Sequence, residues 1–248
     1  MIPRRGSRYK SSWSKTAGAS GFNLVRRAVL SLLDLAADRQ CAIDSLPVPV
    51  VGFHLAPSCG REWAAWGASF GRVASGKQTI YGYKLHLLVT LGGVILDFEL
   101  APAHVLDLEA GCDLLSGHAD LDVYGDKADK HSRQGRAKSR SKGYVGQAVK
   151  EGLEVENRIG LHTVPRSDQK VQTPAAVRLL LNHVRQIVET VNSELAGQFG
   201  VETNRAHTFL ALCTRLHSKL AAHTLCIYLN RLLGERHFLR IKRLAFNI

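Results

Sequence analysis

Three acids stand where acids are uncommon. Asp44 interrupts the β-branched segment CAIDSLPVPVVGF at 41–53, whose other residues favour burial. Asp126 follows the apolar run Leu121–Tyr124 through Gly125, at a strand end of the kind where open α/β sheets place ligands. Glu189 lies on a helical stretch, beside that helix's apolar stripe. A charge next to a core needs a partner or a metal, because a buried unpaired charge is costly. Each acid alone has a plainer explanation: a turn at Asp44-Ser45, a loop acid at Asp126, an i,i+4 surface pair between Arg185 and Glu189. Three together, in a chain of net charge +12, favour a metal site. Carboxylate oxygens are hard ligands suited to Mg²⁺ or Mn²⁺. Two such ions about 3.5–4 Å apart can clamp the attacking and leaving oxygens of a phosphoryl displacement. Histidine or cysteine ligands would select softer metals.

Glu189 belongs to a polar stripe. Arg178, Asn182, Arg185, Glu189 and Asn192 repeat a four-three spacing one residue along from the apolar positions, so they border the buried face, as one wall of a cleft would. Lys84 and His86 share one face of a strand, and two readings stand: contact with phosphate in the cleft, or a face covered by a helix or solvent. Arg215, Lys219 and His223 form a basic stripe on the last long helix, followed by Arg231, Arg236, Arg240, Lys242 and Arg243. Phosphate contacts, which position rather than specify, are one reading, and a solvated basic face is the other. Trp63 and Trp66 lie among Arg61, Arg72 and Lys77. Stacking on unpaired bases is available to them, but a loop anchored by two tryptophans is the favoured reading. His54, His104, His118 and His207 read as surface or capping residues.

The elements that must position these groups follow from periodicity and punctuation. Residues 1–21 read as a tail rich in Ser, Gly, Arg and Lys. An amphipathic helix over 22–38 carries Val25, Val29, Leu32, Leu33 and Ala36. The strand holding Asp44 is pushed to a sheet edge, or ended, by Pro47 and Pro49. Four glycines suggest a long loop over 56–78. Ile80–Val89 and Val94–Leu100 form a hairpin turning at Gly92-Gly93, and Asp107 caps a helix over 108–115. Residues 128–142, ADKHSRQGRAKSRSK, hold no large apolar residue and read as an exposed basic loop. A helix over 143–156 and a strand over 161–164 follow. Pro174 then opens a long helix with the stripe Val177, Leu181, Val184, Val188, Val191, Leu195. A second long helix covers about 206–233 and stops at Gly234. Three antiparallel strands followed by strand–helix units predict an α/β mixed sheet covered by helices.

Composition narrows the function classes. Of 248 residues, 45% are hydrophobic, enough for a full core and too many for wholesale disorder. The charge points weakly to a polyanion, of which nucleic acid is the commonest. Five cysteines, with no CxxC pair, argue against a disulfide framework or a zinc module. They fit thiols packed as small apolar groups in a reducing cytoplasm. The basic N-terminus has no apolar run behind it, so no secretory signal is expected, and no 18-residue apolar stretch predicts a membrane span.

At these residues the sequence resembles the DDE transposases of bacterial insertion sequences, whose catalytic core is RNase H-like. The segments that carry the resemblance are AIDSLPV at 42–48, YGYKLHLLVTLGG at 81–93, APAHVLD at 101–107 and Tyr124-Gly125-Asp126-Lys127. RQIVETVNSEL at 185–195 and TFLALCTRLHSKLAAHTLCIYLNRLLG at 208–234 continue it. The resemblance covers roughly 24–248, with several motifs in order. It implies an RNase H-like mixed sheet, an antiparallel hairpin plus parallel strands flanked by helices. Residues 1–43 become a basic tail and shortened N-terminal helical region. Residues 44–248 become the catalytic domain, with the basic insert 128–142 and C-terminal helices. It implies that Asp44, Asp126 and Glu189 are the acid triad holding two Mg²⁺ or Mn²⁺ ions, and that Arg185 supports Glu189 or contacts a phosphate. DNA contacts are expected from Lys84, His86, Lys127, Arg185, Arg215 and Lys219. The implied activity is cleavage and strand transfer on double-stranded DNA, at element ends and target, near the bacterial nucleoid. A second copy of the chain is a further expected partner. The rival expectation is a truncated, inactive DNA-binding remnant that represses or competes.

Overall fold

The computed structural model describes residues 17–35, 38–58, 61–73, 79–125, 147–163, 175–203 and 205–245. Its centre is a six-stranded mixed sheet. Strand β1 (Gln40–Val51) pairs antiparallel with β3 (Thr79–Thr90) and parallel with β5 (Asp122–Gly125). Strand β6 (Gly160–Thr163) adds parallel to β5. The other edge of β3 is shared by β4 (Ile95–Pro102) and the short β2 (Ser69–Arg72), both antiparallel. The expected hairpin is present: Gly93 takes φ +81° in the turn, and Thr90 N donates to Val94 O at 2.9 Å.

Alternation along β1 and β3 sends two sets of side chains to opposite faces. Cys41, Ile43, Leu88 and Val123 pack with Leu114 and Leu115 of α3 (Asp107–Leu115) and Leu153 of α4 (Gln147–Asn157). Ala42, Leu46, Val48, Leu85 and Leu87 pack on the other face. There they meet α5 (Ala175–Gly197) and α6 (Phe209–Leu232). The predicted α5 stripe is buried at Leu181, Val184, Val188, Val191 and Leu195, while the Val177 side chain lies outside the described residues. Thr208 caps α6 by accepting from Ala211 N at 3.2 Å, and Gly234, at φ +71°, follows its C-cap.

Several expectations need correction. Helix α1 spans Ala17–Leu32, starting inside the expected tail and turned from the expected phase. Ala19, Arg26, Val29 and Leu33 face inward, while Val25 and Leu32 are exposed. Arg26 Nη1 donates to Ile95 O at 2.8 Å and Leu96 O at 3.1 Å, with its guanidinium 4.8 Å from the Phe98 ring. A long cation that bonds two carbonyls displaced a valine from the buried face. Neither proline ends β1. Beyond Ile43 its β5-side edge has no strand partner among the described residues, so Pro47 and Pro49 remove no inter-strand donor on that side.

Nor is the glycine-rich segment a plain loop. It holds a 3-10 turn (Phe53–Ser58), helix α2 (Arg61–Ala65) and β2. Trp63 is buried, Trp66 stacks on Phe209 at 4.7 Å, and Glu62 Oε1 accepts from Phe209 N at 3.1 Å. The tryptophans therefore anchor this segment to the start of α6, as the favoured reading expected. Asp107 does not cap α3. Leu106 holds the N-cap position without a side-chain bond, because Lys84 engages the Asp107 carboxylate. The basic loop 128–142 and residues 143–146 lie outside the described residues, as does most of the expected tail. Among the described residues no helix is long and apolar enough to cross a membrane.

Candidate active site

Asp44 sits half-buried on the β1 face that α5 covers, flanked along the strand by buried Ala42 and Leu46. Its neighbour Ile43 pairs with Gly125, the last residue of β5. Among the described residues the parallel pairing of β1 with β5 thus ends just before Asp44, at a strand end of the kind where open sheets place ligands. Helix α5 crosses this point because its apolar stripe seats on the same face of the sheet. The residue after that stripe reaches the acid: Asn192 Nδ2 donates to Asp44 Oδ2 at 2.7 Å, across 148 positions of sequence. An ionised carboxylate only accepts, so the amide must turn its nitrogen to Asp44. The remaining Asn192 Oδ1 is buried and has no hydrogen-bond partner among the described residues.

Glu189 lies one helical turn before Asn192, so the two share a flank of α5. Arg185 Nε donates to Glu189 Oε1 at 2.7 Å, with both side chains about half exposed. An exposed i,i+4 pair adds only about 0.3–0.5 kcal/mol of stability, so its consequence is orientation of the carboxylate. Asn182 is exposed and Asn192 half-buried, so the described part of the predicted polar stripe borders the core. Asp126 and Lys127 lie outside the described residues. Among those described, no group of three or more His, Cys, Asp or Glu side chains is placed to hold a metal ion.

The expected DNA-contacting residues are placed differently from one another. Lys84 Nζ donates to Asp107 Oδ1 at 2.7 Å and Val105 O at 2.9 Å, so the loop entering α3 engages it. His86 is fully buried, and burial lowers its pKa to about 4. Of the two readings of this strand face, cover by a helix is the one observed. Lys219 Nζ donates to Gly200 O at 2.6 Å. His223 is buried against Glu194, Nε2 to Oε2 at 3.0 Å. The proposed basic stripe on α6 therefore reduces to exposed Arg215, because α6 is a central helix wrapped on most sides, as its buried Leu212, Leu216, Leu220 and Thr224 show.

The C-terminal cations fare better. Arg240 and Lys242 form one wall of a groove of about 840 Å³ whose other wall is α5, from Gln186 through Thr190 to Ser193, with Gln198 just past its end. Glu189 opens onto this groove. Arg231 instead donates to Leu33 O and ties α6 to the end of α1. Of the cysteines, Cys41 and Cys213 are packed in the core as expected, while Cys112 and Cys226 are half-buried. Cys41 and Cys213 are buried free thiols whose pKa burial raises to about 12, and Cys112 is raised to about 11, while Cys59 lies outside the described residues.

Sequence reading missed the link from Asn192 to Asp44. Its only signal was the position of Asn192 three residues after Glu189, within a stripe noted for polarity and not for partners. The buried Glu194–His223 pair was also missed: His223 reads as part of the basic stripe of the last long helix, and nothing in the local pattern singles out Glu194.

A family model described as the transposase DDE domain matches residues 36–225. No curated protein and no solved structure matches the chain at a significant level. The matched span runs from just before β1 into the last turns of α6 and includes Asp44, Asp126 and Glu189. With well over half of its residues matched, and with the mixed sheet and flanking helices of an RNase H-like core, the chain belongs to the transposase DDE-domain family.

Proposed function

We propose that this chain is a transposase that cuts and rejoins DNA at the crevice where β5 ends beside β1, with Asp44, Asp126 and Glu189 as its acid triad. The observation that carries this reading is the Asn192–Asp44 hydrogen bond. It brings the helix bearing Glu189 onto the strand bearing Asp44, and Asp126 is next in sequence after the residue that pairs with Ile43. The donor chemistry fits hard divalent cations: two carboxylates and an orphaned buried amide oxygen on facing elements, with no sulfur or imidazole among them. The triad would hold two Mg²⁺ or Mn²⁺ ions, which supply charge neutralisation at the reacting phosphate.

The protein's own part is positioning. Asn192 holds the Asp44 carboxylate in one orientation, and Arg185 does the same for Glu189. Arg240 and Lys242 line the groove that Glu189 opens onto, which gives one DNA strand a basic path away from the acids. In the first step water attacks phosphorus and the 3′ oxygen leaves with a proton, giving a 3′-hydroxyl and a 5′-phosphate. In the second that hydroxyl attacks a target phosphodiester and displaces the target's own 3′ oxygen. Double-stranded DNA, as element ends and target, is the substrate.

Oligonucleotide nicking in Mg²⁺ or Mn²⁺ tests the reading. Asp44→Asn, Asp126→Asn and Glu189→Gln keep size and remove charge, and each should lower nicking by about a thousandfold or more, the scale on which members of a cooperating set act. A folded Asp126→Asn protein that cuts as fast as wild type would sink the triad. A wild-type protein that binds DNA and nicks in neither metal would instead indicate a binding remnant.

A further inference from the structure

We infer that Asn192 is a positioning residue for the cation at Asp44, with its two amide ends doing different jobs. This rests on the proposed reading of the site as a metal site. Nδ2 donates to Asp44 Oδ2 at 2.7 Å, which fixes which carboxylate oxygen stays free of the amide. Oδ1 is buried and, among the described residues, has no hydrogen-bond partner, in a residue that otherwise makes a close bond. A buried acceptor without a donor is costly, and native proteins keep few such groups unless a water or ion meets them. A carbonyl-type oxygen beside a carboxylate is a hard donor pair of the kind Mg²⁺ and Mn²⁺ take, directly or through a bound water.

The packing sets the amide in place beforehand. Asn192 lies between Val191 and Leu195 of the buried stripe and Glu189 on the exposed flank. Its backbone is held by a helix whose next turn is pinned by the buried Glu194–His223 contact. The side chain therefore sits at the rim of the core, where solvent competes little with a cation. A merely structural asparagine would pin α5 to β1 through Nδ2 alone, and its loss would lower stability with or without metal. A cation-positioning asparagine also makes Mn²⁺ affinity depend on Oδ1.

The test is Mn²⁺ binding to the full chain, read by the fall in the free-ion paramagnetic resonance signal and by the Mn²⁺-induced rise in melting temperature. The proteins are wild type, Asn192→Leu, Asn192→Asp and Asp44→Asn. Asn192→Leu keeps the branched outline and removes both amide ends. It should weaken Mn²⁺ binding about tenfold to a hundredfold, the usual cost of losing an outer-shell partner. Asn192→Asp keeps an oxygen at Oδ1 but sets a second negative charge against Asp44. It should be destabilised without metal, yet bind Mn²⁺ at least as tightly as wild type and gain more melting temperature from it. That opposite response cannot come from lost packing. If Asn192→Leu and Asn192→Asp both bind Mn²⁺ like wild type while Asp44→Asn does not, the inference on Asn192 fails and the metal site stands. If wild type and Asp44→Asn both show no Mn²⁺ response, the metal site itself falls, and the role of Asn192 with it.

Discussion

His86 shows how far burial alone can move a side chain from the role its chemistry suggests. It lies on β3 with both ring nitrogens buried and without a hydrogen-bond partner among the described residues, and Asp107 Oδ1 is 4.0 Å away. Its cross-strand neighbour is buried Glu99, and Lys84 sits two positions along the same face. Desolvation outweighs the nearby carboxylate and lowers its pKa to about 4. The folded chain therefore refuses a proton that the unfolded chain accepts near pH 6.5. Stability is then full above pH 6.5 and lost as pH falls from 6.5 toward 4, by a total on the order of 3 kcal/mol. Burial lowers His217 as well, which acts in the same direction. Urea midpoints of wild type and His86→Leu at pH 7, 5.5 and 4.5 measure this: the wild-type midpoint should fall more steeply. Parallel pH dependences would mean that His86 protonates freely in the folded protein. At this scale the sequence made the half-buried place of Asp44 legible, because an acid inside an apolar pattern is a local signal, and the Arg185–Glu189 pair was legible from its i,i+4 spacing. It hid Lys219 and Arg26, because a cation that bonds a carbonyl across the fold has the same local pattern as one in solvent, and it hid His223, whose partner is the Glu194 carboxylate 29 positions away.

The same limit governs whole elements. Strands β1, β3, β4 and β5 and helices α3, α5 and α6 were readable from period and punctuation, since their burial repeats along one segment. Helix α2 and strand β2 were not, because they exist by tertiary contact. Trp66 on Phe209, Glu62 at the start of α6 and the edge of β3 hold them, and four glycines weigh against them locally. One of those contacts carries a test of the β1–β3 ladder. Pairing shifts at Pro49/Val51, and Gly82 lies opposite Pro49 with φ +150°. A Cβ there would stand 2.4 Å from Val48 O and 3.0 Å from Val50 N, both backbone atoms that cannot swing away. Gly82→Ala must therefore either strain its own backbone or open the bulge, at about 2–3 kcal/mol. Gly117→Ala, with open space around the site, is the control and should change stability little. Equal urea midpoints for the two variants would show that the irregularity yields at no cost. Because Asp44 lies only four residues before Val48 on the same strand, Gly82→Ala should also lower nicking more than its stability loss explains.

Across the whole molecule the unit that folds is larger than the span the family shares. The match covers 36–225, yet α1 precedes it and the end of α6 follows it, and both complete one cluster with the turn of the β3–β4 hairpin. Val29 and Leu33 of this first helical segment pack with Val94, Ile227 and Ile241. Asn230 Nδ2 donates to Phe238 O at 2.7 Å and holds the returning chain, which lays Leu239 against Gly93, where a Cβ would come within 2.4 Å. Arg26 fastens α1 to the carbonyls of β4, and Arg231 fastens the end of α6 to Leu33 O. Val29, Leu33, Ile227 and Ile241 are each less than 10% exposed. At roughly 1.5–3 kcal/mol for each buried apolar side chain, these four weigh as much as the whole net stability of a typical domain, about 5–15 kcal/mol. A fragment of residues 36–225 should therefore lose cooperative folding, although it contains all six described strands and the three acids proposed as the triad. A fragment of residues 17–245 should unfold in one transition. Near-ultraviolet circular dichroism and urea titration of the two fragments decide it. A sharp transition in the shorter fragment, at the urea concentration of the longer one, would mean that α1 and the C-terminal return rest on a finished core. Loss of the transition would show that these two segments, outside the shared span, hold the sheet on which Asp44 and α5 meet.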